Sequence, residues 1–398
     1  MTDKHSDNGS RDPIVIVGGG IIGLALGWQL LRRRKRVTIV ERDRAGRAAS
    51  WIAAGMLAPH SEVGFEEEDF LQAGLQSLKQ YPRFLDELEQ DSGRKVSLDS
   101  RGTLIVAFNR DDSERIRRLY DFRQQLGLPV EWFTGSDAID VEPSLSAKTT
   151  GAIWLPDDSQ VNNRSLVDAL KEAFARRGGV LRENTNVTSI LLLEDRAIGV
   201  KTNDELLSAS RVVLAAGCWS GQIGGVPTEI LPPVRPVKGQ LVSLCMDSEF
   251  KLAHVIRAPD VYIIPKDDGR VIVGATQEEM GFDTTPTAGP VMRMLERGWE
   301  AVPSIYDLAI DAIEVGLRPG SRDNAPIIGA SPIENLYYAT GHFRHGILLA
   351  PLTAYALTDL IVEGVTSYDL KPFATSRFFA TKKTVGKRLA RQDQWNCS

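Results

Sequence analysis

A glycine-rich segment between two short apolar runs constrains the fold of this chain more than any other feature. Residues 14–17 form an apolar run typical of a buried strand, and residues 18–23 read Gly-Gly-Gly-Ile-Ile-Gly, which fits the pattern G-x-G-x-x-G. A helical stretch at 24–34 follows, and a second β-branched run at 37–40 ends at Glu41, whose carboxylate can accept hydrogen bonds from a ribose. This order of elements predicts a βαβ unit that binds a dinucleotide.

The glycines of this segment have separate tasks. Gly18 permits a tight turn, Gly20 lets the backbone approach a pyrophosphate, and Gly23 lets the helix pack closely on the strand. Ile21 and Ile22 fill the positions before the last glycine, where the N-terminus of the helix offers N–H groups to an anion. An ordinary glycine-rich turn is the alternative, and the complete order of strand, helix, strand and acid disfavours it.

Length, charge and cysteine content narrow the class of protein. With 398 residues the chain is long for one hydrophobic core, so we expect two domains. The formal net charge of −5 gives no reason to expect nucleic acid as a partner. The cysteines are scattered without metal-ligand or redox spacing, which favours a reduced, cytoplasmic setting. The polar N-terminus and the lack of a long apolar stretch predict neither a signal peptide nor a membrane span.

The segment 42–59 is rich in alanine and glycine and carries little charge after Arg47. One interpretation is a tightly packed helix start. The other is a loop and helix N-terminus that lie flat against a bound ring system. The position of the segment, directly after the acid at the end of the βαβ unit, favours the second interpretation.

Later segments return to the first sheet and also build a second one. The apolar runs 211–216 and 336–339 each precede a glycine and are interpreted as further strands of the first sheet. The runs 234–244, 255–265 and 271–276 are interpreted as strands of a different, antiparallel sheet, the last two of them joined by a turn that contains Asp-Asp-Gly.

Other segments have the periodicity of helices. These are 70–89, 112–126 and 347–361, the last with Pro351 in its first turn. Residues 132–143 are less regular.

The opening unit fits either NAD or FAD, and the end of the chain helps to choose between them. A helix that begins near Gly346 would direct its N-terminus at the ligand, and Arg344 precedes it. Both would stabilise the negative charge of a reduced flavin ring, which favours FAD. The alternative is a terminal core helix with a glycine-rich entry.

Arg318 and Tyr262 are candidates for a substrate site. Arg318 ends an apolar run, where its guanidinium can bind a carboxylate through two parallel hydrogen bonds. Tyr262 opens a Tyr-Ile-Ile-Pro strand, and its hydroxyl could donate to the same carboxylate. A surface ion pair for the arginine and an ordinary strand aromatic for the tyrosine are the alternatives. No Ser–His–Asp or metal-ligand pattern is visible, so we expect no metal site and a cofactor that carries the chemistry.

Together these segments resemble the D-amino-acid oxidase (DAO) family of FAD-dependent oxidoreductases, most closely its glycine oxidase branch, which is associated with thiazole (thiamine) biosynthesis. The resemblance extends from residue 13 to about residue 372. It is carried by the following stretches: VIVGGGIIGLALGWQL, ASWIAAGMLAP, VVLAAGCWS, PVKGQ, YIIP with VIVGAT, GLRPGSRDNAPIIG and TGHFRHGILLAP.

The resemblance implies an α/β fold, with a Rossmann-like FAD-binding domain and a second, substrate domain built on an antiparallel sheet. The FAD-binding domain would be assembled from 13–82, 150–230 and 319–372. The substrate domain would comprise 83–149 and 231–318, and the polar tails 1–12 and 373–398.

The resemblance also implies roles for individual residues. Glu41 and Arg42 would meet the adenosine portion of FAD, and Val187 would contact the adenine through its backbone. Arg318 would hold the substrate carboxylate with help from Tyr262. The remaining expected contacts are Ala49, Ser50, Ala54, Gly55 and Met56 beside the flavin, His342, Phe343, His345, Gly346, Ile347 and Leu348 around the isoalloxazine, and Arg344, also at the mouth of the site.

The activity implied is oxidative deamination of glycine, sarcosine or D-alanine by hydride transfer to the flavin. Reoxidation by O₂ would give the imine or 2-oxo acid, ammonia or an amine, and H₂O₂. Relatives are often tetramers, so we expect a homo-oligomer. The chain departs from the family pattern at Phe343 and His345, where tyrosine and asparagine are common, and Gln277 lies near the substrate in relatives. These three positions bear on substrate preference.

Several alternatives remain open. One is a sarcosine or secondary-amine oxidase, and another is a quinone-linked D-amino-acid dehydrogenase. Monomeric sarcosine oxidases tether flavin through a cysteine before the last FAD motif, and 318–329 contains none, which favours non-covalent FAD. A non-catalytic flavin-binding protein is a rival of a different class. An NAD-dependent dehydrogenase is disfavoured by the later FAD-like segments.

Overall fold

A computed structural model describes residues 12–62 and 68–378, which form two large and two small sheets. The strands are β1 Ile14–Val17, β2 Val37–Val40, β3 Met56–Leu57, β4 Leu98–Asp99, β5 Thr103–Ala107, β6 Glu131–Thr134, β7 Gly151–Leu155, β8 Ser159–Val161, β9 Val180–Arg182, β10 Val187–Leu193, β11 Arg196–Thr202, β12 Leu206–Ser208, β13 Arg211–Leu214, β14 Arg235–Cys245, β15 Val255–Ala258, β16 Val261–Pro265, β17 Arg270–Gly274, β18 Ala309–Gly320, β19 Ile327–Ala330 and β20 Leu336–Thr340. The α-helices are α1 Ile21–Arg32, α2 Ala49–Ile52, α3 Pro59–Glu62, α4 Glu68–Ser92, α5 Arg110–Gln125, α6 Gly135–Val141, α7 Asn163–Arg176, α8 Ala288–Ala301 and α9 Ala350–Glu363. Short 3₁₀ turns cover Gly217–Gln222, Pro303–Asp307, Phe343–His345, Lys371–Phe373 and Thr375–Phe378.

The six-stranded sheet has the order β19-β20-β13-β1-β2-β9. All neighbours are parallel except β19, which is antiparallel to β20 at one edge. Helix α1 connects β1 to β2, so the predicted βαβ unit and the α/β fold class are confirmed. The helix begins at Ile21 rather than at the predicted Leu24, because the last glycine of the motif already lies in its first turn.

Continuous apolar strands explain why this sheet is buried on both faces. Every residue of β1 and β2 is buried, as expected for central parallel strands. Helix α1 packs against α7 and α9 and is buried over nearly its whole surface. Trp28 lies at 0% exposure and donates a hydrogen bond from Nε1 to Asp91 of α4 at 2.7 Å. Within 12–62 and 68–378, no helix is long and apolar enough to cross a membrane.

The eight-stranded sheet has the order β18-β14-β17-β16-β15-β5-β7-β6. It is antiparallel except where β15 pairs with β5, so the predicted antiparallel sheet is present. Its inner face packs against α8 in a hydrophobic cluster separate from that around α1. The two small sheets are β3-β8-β4 and β10-β11-β12. The second packs on the face of the six-stranded sheet opposite α1.

Two predicted segments differ from the structure. The predicted single strand 255–265 is a hairpin of β15 and β16, which turns at Asp260 with φ of 65°. The region 132–143, predicted to be irregular, contains β6 and helix α6. Thr134 and Asp137 form a capping box at the start of this helix, a pattern that the sequence does carry.

The predicted division into domains stays a prediction, but three of its boundaries need correction. Helix α4 crosses the boundary at 82–83 as one continuous helix despite an internal proline. Strand β7, assigned to the FAD-binding part, pairs with β5 and β6 in the eight-stranded sheet. Phe373, assigned to the C-terminal tail, is buried in the cluster around α1. The predicted tail segments 1–11 and 379–398 lie outside the described residues.

We expect Gly23→Ala to destabilise the fold by about 1–3 kcal/mol, the range typical of overpacking. An added Cβ would lie 2.0 Å from the carbonyl oxygen of Gly18, and a backbone atom in a tight turn cannot move aside. Gly289→Ala in α8 is the matched control, because its Cβ would meet open space. Urea unfolding of both variants measures the effect, and a Gly23→Ala protein as stable as wild type would contradict this packing.

Candidate active site

A cavity of about 1230 Å³ lies where the carboxyl ends of β1, β2 and β13 face the eight-stranded sheet. Such a crevice is where open parallel sheets bind ligands. Three predicted contacts do not line it: Gly23 packs beneath the turn, and His345 and Leu348 are buried behind the wall. The predicted residues that do line it are Gly18, Gly20, Ile21, Ile22, Glu41, Arg42, Ala49, Ser50, Ala54, Gly55, Met56, Val187, Tyr262, Arg318, His342, Phe343, Arg344, Gly346 and Ile347.

The glycines of the motif test whether this cavity fits a dinucleotide. A Cβ on Gly18, which has φ of +109°, would lie 2.4 Å from the carbonyl oxygen of Ala215, so the protein's own packing requires a glycine there. A Cβ on Gly20 would meet only the Ser50 hydroxyl, at 3.4 Å, and is otherwise unhindered. The lack of a side chain at Gly20 therefore leaves room in the cavity for a ligand. This room lies at the N-terminus of α1, where a phosphate is favoured. The residues fit the pyrophosphate of FAD.

The ends of β2 and β13 form the region expected to hold the adenosine. Glu41 accepts hydrogen bonds from the N–H groups of Gly19, at 2.7 Å, and Asp43, at 3.1 Å. Each carboxylate oxygen keeps a further lone pair for a ribose hydroxyl. The Arg42 guanidinium stacks 3.7 Å above the ring of Trp219, which lies in the 3₁₀ turn after β13. Both side chains line the cavity.

The segment with small residues forms one wall of the cavity. Helix α2 places Ser50 so that its hydroxyl accepts a hydrogen bond from the Ile21 N–H at 2.9 Å, which joins this wall to the start of α1. The chain then turns at Gly55, with φ of +77°, where a Cβ would lie 2.2 Å from the carbonyl oxygen of Val161. Met56 continues into the small sheet. A larger side chain at Gly55 would therefore strike backbone.

The turn at 341–349 forms another wall. Helix α9 begins at Ala350, not near Gly346 as predicted, because the chain first makes a 3₁₀ turn and further turns from His345 to Leu349. Phe343, at the centre of this wall, has φ of 48°. Inside it, His342 pairs through Nε2 with the Thr353 hydroxyl at 3.0 Å, and burial, followed by the charge of His345, lowers its pKa to about 3. This imidazole is therefore neutral.

Arg318 and Tyr262 come together on the face of the eight-stranded sheet. The Arg318 guanidinium lies over Gly239, where a Cβ would be 2.4 Å from Nη1, and Nη1 donates to the Thr276 carbonyl at 2.9 Å. The Tyr262 ring packs on Gly274. Burial raises the pKa of Tyr262 although the charge of Arg318 opposes it, so the phenol stays protonated. In the described ranges no carboxylate lies within salt-bridge distance of Arg318.

Arg344 lies in a different electrostatic setting. Its Nη2 donates to the Glu62 carbonyl at 3.0 Å, and its Nε lies 3.9 Å from the Glu62 carboxylate. The same carboxylate contacts Arg257 at 3.3 Å and His345 at 3.2 Å. Burial alone would raise the pKa of Glu62, but the hydrogen bond from His345 and the charge of Arg257 outweigh it and lower this pKa to about 2. Glu62 is therefore an anion among cations.

Glu62, Arg257 and Trp219 are site residues that were not predicted from the sequence. Glu62 follows the small-residue segment closely, but its contacts with Arg257 and Arg344 span 195 and 282 positions of the chain. No local pattern distinguishes such an acid from one on the surface. Trp219 lies inside a stretch that carried the family resemblance, and its position two residues after Gly217 was the available signal.

Comparison with known proteins decides the family. The model of the DAO family, described as FAD dependent oxidoreductase, matches residues 13–360. The chain belongs to this family. It is 35% identical to a glycine oxidase of Geobacillus kaustophilus over 92% of this chain and 97% of that protein, and 31% identical to one of Bacillus subtilis over 89% and 94%. The crystal structure of the Geobacillus kaustophilus glycine oxidase superposes with a TM-score of 0.85 over 92% of this chain and 98% of that one.

These matches establish the class of enzyme. The DAO-family chain is an FAD-dependent oxidoreductase that acts on amines, and the predicted cofactor FAD is confirmed. The roles assigned to individual residues stay predictions. The cavity shows which of these residues could contact a ligand.

We expect His342→Gln to flatten the loss of stability at low pH. Unfolded chain takes up a proton on this histidine below about pH 6.5, whereas the folded protein does so only near pH 3, so wild type loses stability as the pH falls. Between about pH 7 and 5 the loss relative to the variant should reach up to about 2 kcal/mol. Chemical unfolding at both pH values measures it, and parallel curves for the two proteins would contradict a neutral His342.

Proposed function

We propose that this protein is an oxidase of glycine and other small amines, including sarcosine and D-alanine, which binds FAD non-covalently and passes its electrons to O₂. Arg318 is the observation that carries the proposal. It is a cation in the wall of the FAD cavity, oriented by a backbone carbonyl and without a carboxylate partner in the described ranges. A substrate carboxylate would supply that partner through a charge-assisted, two-pronged contact.

The protein's own residues would act mainly by orientation. Arg318 and the protonated Tyr262 would hold the carboxylate and so fix the direction of the substrate Cα–H, which is a large part of catalysis when two groups must meet in one geometry. Bound FAD supplies the acceptor for the hydride. The neutral amine of the substrate provides the lone pair that drives hydride loss, so the rate should rise with pH as the amine loses its proton. The resulting imine would hydrolyse in water.

No protein base is needed for this reaction, and the histidines near the cavity are engaged elsewhere. His342 pairs with Thr353, and His345 pairs with Glu62. The role of His345 accounts for one departure from the family pattern, because its imidazole supports an anion at the edge of the site. Phe343 and Gln277 line the cavity, and we propose that they tune substrate preference.

The identity of the substrate rests on the relatives named glycine oxidase and on the carboxylate site. The same geometry would accept sarcosine, so a secondary-amine oxidase is the nearest alternative. The absence of cysteine from 318–329 supports non-covalent FAD. We further propose a cytoplasmic homotetramer that serves thiazole biosynthesis, by analogy with the branch of the family that the chain resembles.

Arg318→Ala should raise the KM for glycine sharply while FAD stays bound. Loss of one charge-assisted contact to a carboxylate amounts to roughly 2–5 kcal/mol, and the arginine is placed on the substrate side of the cavity. Arg322→Ala removes an exposed arginine nearby and is the matched control. Steady-state kinetics measure the KM for glycine, and the flavin content of each variant measures whether FAD stays bound. An unchanged KM in Arg318→Ala would refute the carboxylate site.

Oxygen uptake tests the reaction itself. The holoprotein should consume O₂ with glycine and release equal amounts of H₂O₂, and comparison with sarcosine and D-alanine ranks the substrates. Reduction of a quinone analogue without O₂ uptake would instead show a dehydrogenase. Bound FAD without turnover on any of these amines would favour a non-catalytic flavoprotein.

A further inference from the structure

Lys266 is a buried ammonium that the proposed reaction does not use. Lys266 is the residue after β16 and is only 5% exposed. Nζ donates to the Gln160 side-chain oxygen at 2.9 Å and to the Val161 carbonyl at 3.0 Å. In residues 12–62 and 68–378 it has no carboxylate within salt-bridge distance. Only neutral oxygens contact this charge in the interior. Burial of a lysine without an opposite charge costs free energy, because the ammonium loses its hydration.

The ammonium lies directly behind the wall of the cavity. A Cβ built on Gly55 would be 3.0 Å from Nζ, and Gly55 lines the cavity together with Ala54 and Met56. The Val161 N–H donates to the Gly55 carbonyl at 2.9 Å, so the residue that accepts from Lys266 is itself bonded to the wall. No side chain separates the positive charge from the turn, because the residue at the turn is a glycine.

Charged groups around Lys266 are Asp99 of β4, Asp267 and Asp268 of the following turn, and Arg270 of β17. The acids bind other partners: Asp268 pairs with Arg270 at 2.7 Å, and both Asp267 and Asp268 accept from the Asn162 amide. Asp99 pairs with Arg101 at 2.6 Å. Burial, followed by the charge of Arg270, lowers the pKa of Lys266 to about 7. The ammonium is therefore easily discharged by a rise in pH.

We propose that the Lys266 ammonium is a positive charge behind the Gly55–Met56 turn which raises the reduction potential of the bound flavin. Reduction adds negative charge to the ring, and a cation held in a medium of low dielectric stabilises that charge without reorganisation. The inference rests on the proposed placement of the flavin ring along Ala54, Gly55 and Met56. Lys266 would not contact the flavin ring. Its charge would act on the ring through the Gly55–Met56 turn.

The test measures the reduction potential of the holoprotein by equilibration with a redox dye and a chemical reductant. Lys266→Met removes the charge and keeps the length of the side chain, so its potential should lie below that of wild type near about pH 6, where the lysine is charged. Near about pH 9 the two potentials should converge, because wild type has then lost the proton as well. Lys251→Met, which removes an exposed lysine, should leave the potential unchanged.

Lys266→Arg provides an independent comparison if Lys266→Met fails to retain FAD. Arginine stays charged throughout this range, so near about pH 9 its potential should lie above that of wild type. Equal potentials of wild type and Lys266→Met near pH 6, or of wild type and Lys266→Arg near pH 9, would overturn the proposal. The measurement needs no amine substrate, so it can succeed or fail independently of glycine oxidation.

Discussion

The fold of this protein depends on a close approach of three backbone segments at the carboxyl end of the parallel sheet. Gly18 lies against Ala215, which directly follows the neighbouring strand β13, and Gly23 lies against the carbonyl of Gly18. Side chains at either glycine would separate the strand, the helix and the next strand, and with them the walls of the cavity. Thr340 closes the same end by donating from its hydroxyl to the Gly217 carbonyl at 3.0 Å. Packing and cofactor binding therefore share one set of contacts.

The distribution of charge then separates the site into two regions. At the edge, Glu62 neutralises Arg257 and Arg344, so these arginines hold the wall together. On the sheet, Arg318 is held only by neutral groups, which leaves its charge for a ligand. Behind the wall, the Lys266 ammonium likewise donates only to neutral oxygens. Within 12–62 and 68–378, Arg318 and Lys266 thus have no carboxylate in contact, and they lie where we propose that an anionic substrate and the flavin ring bind.

The features that could be predicted from the sequence are those encoded by residues close together in the chain. The βαβ unit could be predicted because strand, glycines, helix and acid are contiguous, and Arg318 because its motif resembles that of a known family. The hairpin at Asp260 was missed because a non-glycine residue with positive φ leaves little trace in a β-branched run. Glu62 and Lys266 were missed because their environments arise from segments far apart in the chain. Contacts of that kind are a product of the fold and not of a local pattern.

Anaerobic mixing of the FAD-loaded protein with glycine tests the central claim most directly, since it isolates the transfer from substrate to flavin. We expect glycine to abolish the visible absorption band of oxidised flavin, and admission of air to restore it. Persistence of the band with glycine, sarcosine and D-alanine, in protein shown to contain FAD, would contradict the claim that this cavity oxidises small amines.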